Sequence, residues 1–268
     1  MAQLAFDRSG AGEPLVLLHP LGSSRRIWDP VVPALAEHFD VIAVDLPGFG
    51  DSAPLPAGTV PLPATVAAAV AGLLDELGVA VPHVAGNSLG GWVALELAGL
   101  RRTASLTLLS PAGLWARTTP LYCLISLRVS RALARHATGL LLRAVGYRLG
   151  RAIVLSQTHG RPLRMAAANA RAAVRALGTS PGFDATLRAT VDRRFVASEP
   201  IDVPLTVAFG SRDVLLLPHQ SRHLDQLPAG TRIETVPFGG HFPVADNPAG
   251  VTALIRRTAA LAQSSPLR

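Results

Sequence analysis

Short, mainly apolar runs recur along the chain, and each ends abruptly at a glycine, a proline or a polar residue. The runs with the length of a buried β-strand cover residues 15–18, 41–44, 81–85, 106–109, 205–209 and 233–236. Strands of a parallel sheet that is covered on both faces have such continuous runs, because neither face meets water. The pattern therefore predicts a sheet buried between two layers of helices.

An alanine- and leucine-rich stretch predicts a helix over 66–77, and further helices are expected over 89–100 and near 220–226. A last helix is expected to begin near Asn247 and Pro248, because asparagine caps helices and proline suits their first turn. Strands that alternate with helices indicate an α/β fold with a mostly parallel, doubly wound sheet.

The stretch between the runs at 106–109 and 205–209 has helical periodicity and contains no convincing strand. Its charge also differs from that of the rest. All 25 basic residues of the chain are arginine, and eleven of them lie between Gly113 and Phe183, where there is no acidic residue. We therefore predict that residues 113–199 form a helical cap, inserted into an α/β core made of residues 1–112 and 200–268.

The arginines of this stretch have two interpretations. Arg128, Arg131 and Arg135 fall on one helical face, which is typical of a solvated surface. Alternatively, the arginines attract anions such as carboxylates, acyl phosphopantetheine or anionic lipid surfaces. No basic motif with interleaved aromatic residues is present, so we do not expect nucleic acid as a partner.

Composition limits the compartment and the chemistry. No apolar run approaches the length needed to span a bilayer, and the first residues lack the pattern of an export signal. Cys123 is the single cysteine and cannot form an internal disulfide. We expect a cytoplasmic protein that is not integral to a membrane, and the sequence leaves its oligomeric state open. The absence of lysine excludes any catalytic lysine, and no metal-ligand or nucleotide-binding spacing suggests a metal or a cofactor.

Punctuated motifs follow the predicted strands, at the edge where open α/β sheets bind ligands. They are HPLGSS (19–24), DLPGFGDS (45–52), GNSLGG (86–91), GSRDVLLLP (210–218) and GGHFPVADNP (239–248). In GNSLGG, a strand passes directly into a helix through G-x-S-x-G, which is the pattern of a nucleophile elbow around Ser88. Serine needs a base, and the base needs an orienting acid. Asp213 and His241 follow later strands in the order expected for such a triad.

Taken together, these five motifs resemble the α/β-hydrolase superfamily, in its cap-bearing branch, over nearly the whole chain. The resemblance implies a Ser88 nucleophile, a His241 base and an Asp213 orienting acid, with no cofactor. It also implies an oxyanion hole made of the backbone N–H groups of Leu21 and Leu89. Pro20 stands where the family usually has glycine, and this affects the geometry of that hole because proline lacks an N–H and fixes φ.

The expected reaction is hydrolysis of a small to medium, neutral or anionic acyl substrate, most simply a carboxylic ester, through an acyl-enzyme. Dehalogenases and epoxide hydrolases of the fold use a carboxylate nucleophile, whereas the elbow here carries serine. The alternatives are a thioesterase, a carbon–carbon bond hydrolase that holds a substrate carboxylate with a cap arginine, and a slow-turnover ligand receptor. We interpret His19 as a structural residue, and His83, His136, His159, His219 and His223 as incidental.

Overall fold

The computed structural model describes residues 3–264, without the side chains of Pro218 and Ser264. One sheet contains the strands β1 (Phe6–Ser9), β2 (Glu13–Leu18), β3 (Phe39–Val44), β4 (His83–Asn87), β5 (Ser105–Leu109), β6 (Leu205–Gly210) and β7 (Arg232–Val236). Their spatial order is β1-β3-β2-β4-β5-β6-β7, and only β1 pairs antiparallel to its neighbour. The predicted mostly parallel sheet is thereby confirmed.

Helices cover both faces of the sheet. They are α1 (Val32–Ala36), α2 (Pro63–Glu76), α3 (Leu89–Gly99), α4 (Leu121–His136), α5 (Thr138–Ala144), α6 (Arg148–Val154), α7 (Ala167–Thr179), α8 (Phe183–Thr190), α9 (Pro218–Ser221), α10 (Pro243–Asp246) and α11 (Pro248–Ser264). One apolar cluster joins the sheet to α2 and α3, and a second joins its other side to α1 and α11. Among the described residues, no helix is long and apolar enough to cross a membrane.

Besides shifts of a few residues at element ends and the short helices α1 and α10, which were not predicted, the structure departs from the predicted elements at three places. Strand β1 was not predicted, because its sequence FDRS is mostly polar and its last three residues are exposed at the sheet edge. Strand β4 begins at His83 rather than at residue 81, since Pro82 cannot donate to the ladder. The helix expected near 220–226 is only the single turn α9.

Five helices, α4 to α8, lie between β5 and β6, and no strand occurs among them, as the periodicity predicted. We refer to residues 113–199 as the insertion. The prediction that Arg128, Arg131 and Arg135 share a solvated face is wrong for Arg131, which is buried. Its guanidinium donates hydrogen bonds to the carbonyls of Leu177 and Ser180, because it lies on the side of α4 that packs against α7.

Candidate active site

Ser88 lies between the end of β4 and the start of α3 with a φ of 54° and a ψ of −114°. Non-glycine residues rarely adopt such a positive φ, which costs about 1–3 kcal/mol and persists only where the surrounding structure enforces it. The neighbouring glycines make the turn possible. A Cβ on Gly86 would lie 2.3 Å from the carbonyl oxygen of Gly90, and one on Gly90 would lie 2.2 Å from that of Leu18. This is the tight strand–turn–helix geometry expected of a nucleophile elbow.

His241 and Asp213 come together on the loops that follow β7 and β6. The Nδ1 atom of His241 lies 3.0 Å from Oδ2 of Asp213, and both side chains are buried. Burial raises the pKa of the Asp213 carboxyl, but the charge and hydrogen bond of His241 and the N–H of Leu216 lower it further, so it falls below its ordinary value. Because the carboxylate is ionised, Nδ1 carries the proton and donates it, and Nε2 is left as the acceptor.

The other oxygen of Asp213 is also held. Its Oδ1 accepts hydrogen bonds of 2.9 Å from the N–H groups of both Leu215 and Leu216. With both oxygens bonded, the carboxylate has a fixed orientation toward His241, which is what an orienting acid requires.

The two backbone N–H groups expected in the oxyanion hole belong to Leu21 and Leu89. Leu89 is the first residue of α3, so its N–H has no partner within the helix. The N–H of Leu21 likewise donates to no residue within 3–264. Both residues line the same cavity as Ser88 and His241, so both donors are available to a ligand there.

His19 fixes the loop that carries Leu21, despite the proline beside it. Its Nε2 accepts the N–H of Leu46 at 2.9 Å, so its Nδ1 carries the proton and donates to the Pro20 carbonyl at 2.8 Å. Burial lowers the pKa of His19 to about 4, which keeps the ring neutral. These contacts support its interpretation as a structural residue.

The motif DLPGFGDS reinforces this loop through a buried ion pair that sequence reasoning did not assign. Asp45 is inaccessible to solvent and accepts hydrogen bonds from both the backbone and the guanidinium of Arg25. Arg25 also reaches Asp7 and Asp51, each at 2.9 Å. The aspartate that follows β3 therefore anchors the end of the HPLGSS loop, and its role is structural.

Asn87, the residue before Ser88, connects the elbow to the histidine loop. Its buried Nδ2 donates to the carbonyl of Leu109 at 2.8 Å and to that of His241 at 3.0 Å. Sequence reasoning did not predict this hydrogen bond, because Asn87 and His241 are far apart in the sequence and only the fold brings them together.

A second link joins the insertion to the histidine loop. Asp246 accepts the N–H groups of Gly160, Arg161 and Gly240 at 2.7, 2.8 and 2.8 Å. The backbones approach so closely that a Cβ on Gly240 would lie 2.5 Å from the nitrogen of Gly160. The loop 158–161 is therefore docked on the loop that carries His241.

This docking brings His159 to the site, although the sequence gave no motif for it. His159 is buried, stacks edge-on against Phe242, and lines the cavity together with His241. Burial lowers its pKa to about 4, so the ring is neutral near neutral pH. Its interpretation as incidental does not account for this position.

Ser88 and His241 open into a cavity of about 870 Å³ between the core and the insertion. This volume is typical of ligand pockets for small and medium molecules. Most of its lining is apolar, including Trp92, Trp115 and Leu216. None of the eleven arginines between Gly113 and Phe183 lines the cavity. The arginine that lines the cavity is Arg26, which belongs to the core. Eight of the eleven are exposed, so their charge lies on the surface of the insertion and not in the cavity.

Similar proteins place this geometry in a family. The model of the alpha/beta hydrolase family matches residues 15–254. An uncharacterised protein of Mycobacterium tuberculosis is 30% identical over 267 residues, 94% of this chain and 77% of that one. An epoxide hydrolase of the same organism is 31% identical over 203 residues, 68% of this chain and 87% of that one. The acetyltransferase component of an acetoin-cleaving system of Pseudomonas putida is 46% identical over 113 residues, but the match spans only 41% of this chain and 30% of that protein.

Solved structures agree with this assignment. A thermophilic esterase of Thermogutta terrifontis superposes with a TM-score of 0.78 at 24% identity, covering 98% of this chain and 95% of that one. An enol-lactonase of Burkholderia xenovorans superposes with a TM-score of 0.75 at 26% identity, covering 97% of both chains. The family match over most of the chain, the sheet order and the strained elbow lead to one conclusion: the chain belongs to the alpha/beta hydrolase family and is a hydrolase.

Proposed function

We propose that the protein is a serine hydrolase that cleaves carboxylic esters with an apolar acyl group through an acyl-enzyme on Ser88. The observation that carries this proposal is the strained Ser88 in one cavity with His241, whose Nδ1 is hydrogen-bonded to an ionised Asp213. In this arrangement the imidazole has its Nε2 free to accept the proton of a serine hydroxyl.

The proposed mechanism begins when Ser88 Oγ attacks the ester carbonyl carbon and His241 takes its proton. The N–H groups of Leu21 and Leu89 stabilise the oxyanion, and one such donor is typically worth about 3 kcal/mol. His241 then gives the proton to the leaving alcohol, and the acyl-enzyme remains on Ser88. Water, deprotonated by His241, attacks the acyl group and releases the acid.

We further propose that residues 113–199 act as a cap over a core formed by residues 1–112 and 200–268. Residues of both parts line the cavity, among them Cys123 and Leu177 of the insertion and Leu216 of the core. A site enclosed in this way excludes water, which strengthens electrostatic interactions with the transition state. The hydrogen bonds of Asp246 to the loop 158–161 hold the two parts together beside the histidine.

The apolar lining supports ester hydrolysis over the carbon–carbon hydrolase alternative. That alternative needs a cap arginine on the substrate carboxylate, and the arginines from Gly113 to Phe183 are absent from the lining. Serine at the elbow supports the proposal against epoxide hydrolysis, which uses a carboxylate nucleophile in this fold.

Steady-state assays on p-nitrophenyl esters of increasing acyl length test the proposed function. We expect many turnovers per enzyme, with kcat/KM rising from acetyl to medium acyl chains because an apolar cavity of about 870 Å³ rewards added methylene groups. Burial of one methylene group is worth about 0.8 kcal/mol, so each added methylene group should raise kcat/KM about four-fold until the cavity is filled. Release of one product molecule per enzyme without further turnover would instead indicate a ligand receptor. Activity toward thioesters without activity toward esters would show that the substrates are thioesters and not carboxylic esters.

A further inference from the structure

The insertion exposes an unusual amount of apolar side chain. Eleven large apolar residues of the insertion are more than a third exposed, and they are Leu121, Tyr122, Ile125, Val129, Leu133, Leu140, Tyr147, Leu149, Ile153, Leu163 and Val196. The most exposed of these side chains are Tyr147 at 75%, Leu149 at 72% and Leu140 at 70%. A contiguous exposed apolar surface of this kind marks an interaction site.

Five of these residues form one side of α4, and we call them the outer stripe: Leu121, Tyr122, Ile125, Val129 and Leu133. The spacing of three and four residues places Tyr122, Ile125, Val129 and Leu133 on one helical face. The opposite face carries the buried Cys123 and Ala134, and α4 packs with it against α7. The outer stripe therefore contributes nothing to the core of the insertion.

The outer stripe is continuous with the mouth of the catalytic cavity. Ile125, Val129 and Leu133 are each about half exposed and also line the cavity, as does Ile153 of α6, which is 69% exposed. A surface that covers the stripe therefore lies directly at the cavity entrance.

On α4 to α7 the charge around this apolar surface is positive only, and the acidic residue recorded against α4 is Asp184 of α8, which pairs with the buried Arg131. Arg128 and Arg135 flank the stripe on α4, and Arg143, Arg148, Arg171 and Arg175 are exposed on α5, α6 and α7. None of these six forms an ion pair with any residue of the part that the structure describes. Both tyrosines of the chain, Tyr122 and Tyr147, are exposed here, and tyrosine favours the boundary between lipid and water.

We propose that the outer stripe of α4 and the arginines around it dock the protein on an anionic lipid surface. Apolar side chains enter the boundary between headgroups and acyl chains, while guanidinium groups bind the lipid phosphates. A second copy of the chain is a poor occupant, because the same unpaired positive charges would face each other. Under the proposed function, docking also brings lipid-dissolved esters to the cavity entrance, and this consequence alone rests on that function.

Co-sedimentation with vesicles tests the docking. Vesicles of phosphatidylcholine mixed with phosphatidylglycerol are compared with vesicles of phosphatidylcholine alone, at low and high salt. We expect binding to the mixed vesicles, at least ten-fold weaker binding to the neutral ones, and weakening with salt, because each arginine near an anionic surface contributes about five-fold in binding. The Ser88→Ala variant should bind as the wild type does, which separates docking from the proposed catalysis.

Matched variants locate the surface. Arg128→Glu/Arg135→Glu and Leu121→Ser/Tyr122→Ser each change exposed residues of α4 that do not line the cavity. Both double variants should lose at least about ten-fold in binding to the mixed vesicles.

The controls are Arg232→Glu/Arg256→Glu and Val60→Ser/Val81→Ser, which change exposed residues of the core and should bind unchanged. Circular dichroism of every variant should match the wild type. Absence of wild-type binding, equal binding to neutral vesicles, equal losses in the core variants, or a stable dimer that ignores vesicles would overturn the proposal.

Discussion

At the scale of single residues, a local motif pointed to Ser88, whereas no motif pointed to the contacts of Asn87. Ser88 was identified from G-x-S-x-G because the motif states a local requirement, a strained turn between strand and helix with small neighbours. Its assignment as nucleophile stays a prediction. Asn87 lies within the same motif, but its hydrogen bond to the carbonyl of His241 joins residues 154 positions apart. No local pattern encodes such a contact.

Replacing Asn87 by alanine should lower kcat about 100-fold, because a displaced histidine loop misaligns the base by a fraction of an ångström to an ångström. The KM value should change little, since Asn87 does not line the cavity. Steady-state kinetics on a p-nitrophenyl ester measures both constants.

The control for this prediction is Thr103→Ala, which removes a buried hydroxyl that has no hydrogen-bond partner among the described residues. It should leave kcat unchanged. Wild-type kcat in Asn87→Ala, or an equal loss in both variants, would show that Asn87 does not position the histidine.

At the scale of elements, the mainly apolar runs predicted six strands because burial on both faces of the sheet favours apolar residues, although β7 at the sheet edge is mostly exposed. Strand β1 was not predicted because it lies at the sheet edge, where three of its four residues face water and no apolar pattern is required. The helices of the insertion were predicted as a group, but the cavity they form with the core was not. Packing between separate helices sets its shape, and periodicity describes each helix alone.

The close contact between α3 and β2 gives a prediction for Gly90. Both Gly90 and Gly139 lie in helices, where alanine is intrinsically favoured by about 1 kcal/mol. A Cβ on Gly139 meets no atom within 4 Å, so Gly139→Ala should be neutral or slightly stabilising. A Cβ on Gly90 would lie 2.2 Å from the carbonyl of Leu18, so Gly90→Ala should lose about 3 kcal/mol of unfolding free energy.

Urea unfolding of the two alanine variants and the wild type measures this difference. Equal stability of Gly90→Ala and the wild type would mean that strand and helix are not in the close contact described.

At the scale of the whole molecule, two buried neutral histidines make stability depend on pH. Burial lowers the pKa of His19 and of His159 from 6.5 to about 4. Between these values the unfolded chain binds a proton at each histidine and the folded protein does not, so stability falls as the pH decreases through this range. Each histidine should cost about 2 kcal/mol of unfolding free energy between about pH 7 and pH 5.

Unfolding free energies from urea titrations at several pH values check this dependence. His159→Gln should remove about half of the loss, because only His19 then contributes. An unfolding free energy that stays constant or rises on acidification would contradict the burial of two neutral rings.

The most direct test of the account is whether Ser88 is the nucleophile. A fluorophosphonate should add once to the wild-type protein, at Ser88, and not at all to Ser88→Ala, as read from intact mass and peptide mapping. Ser88→Ala should lose about 10⁶-fold in kcat, His241→Ala a similar factor and Asp213→Asn no more, and combined variants should lose no further activity because the three act as a unit. Labelling of another residue, or retention of more than about a tenth of wild-type esterase activity by Ser88→Ala, would contradict the central claim.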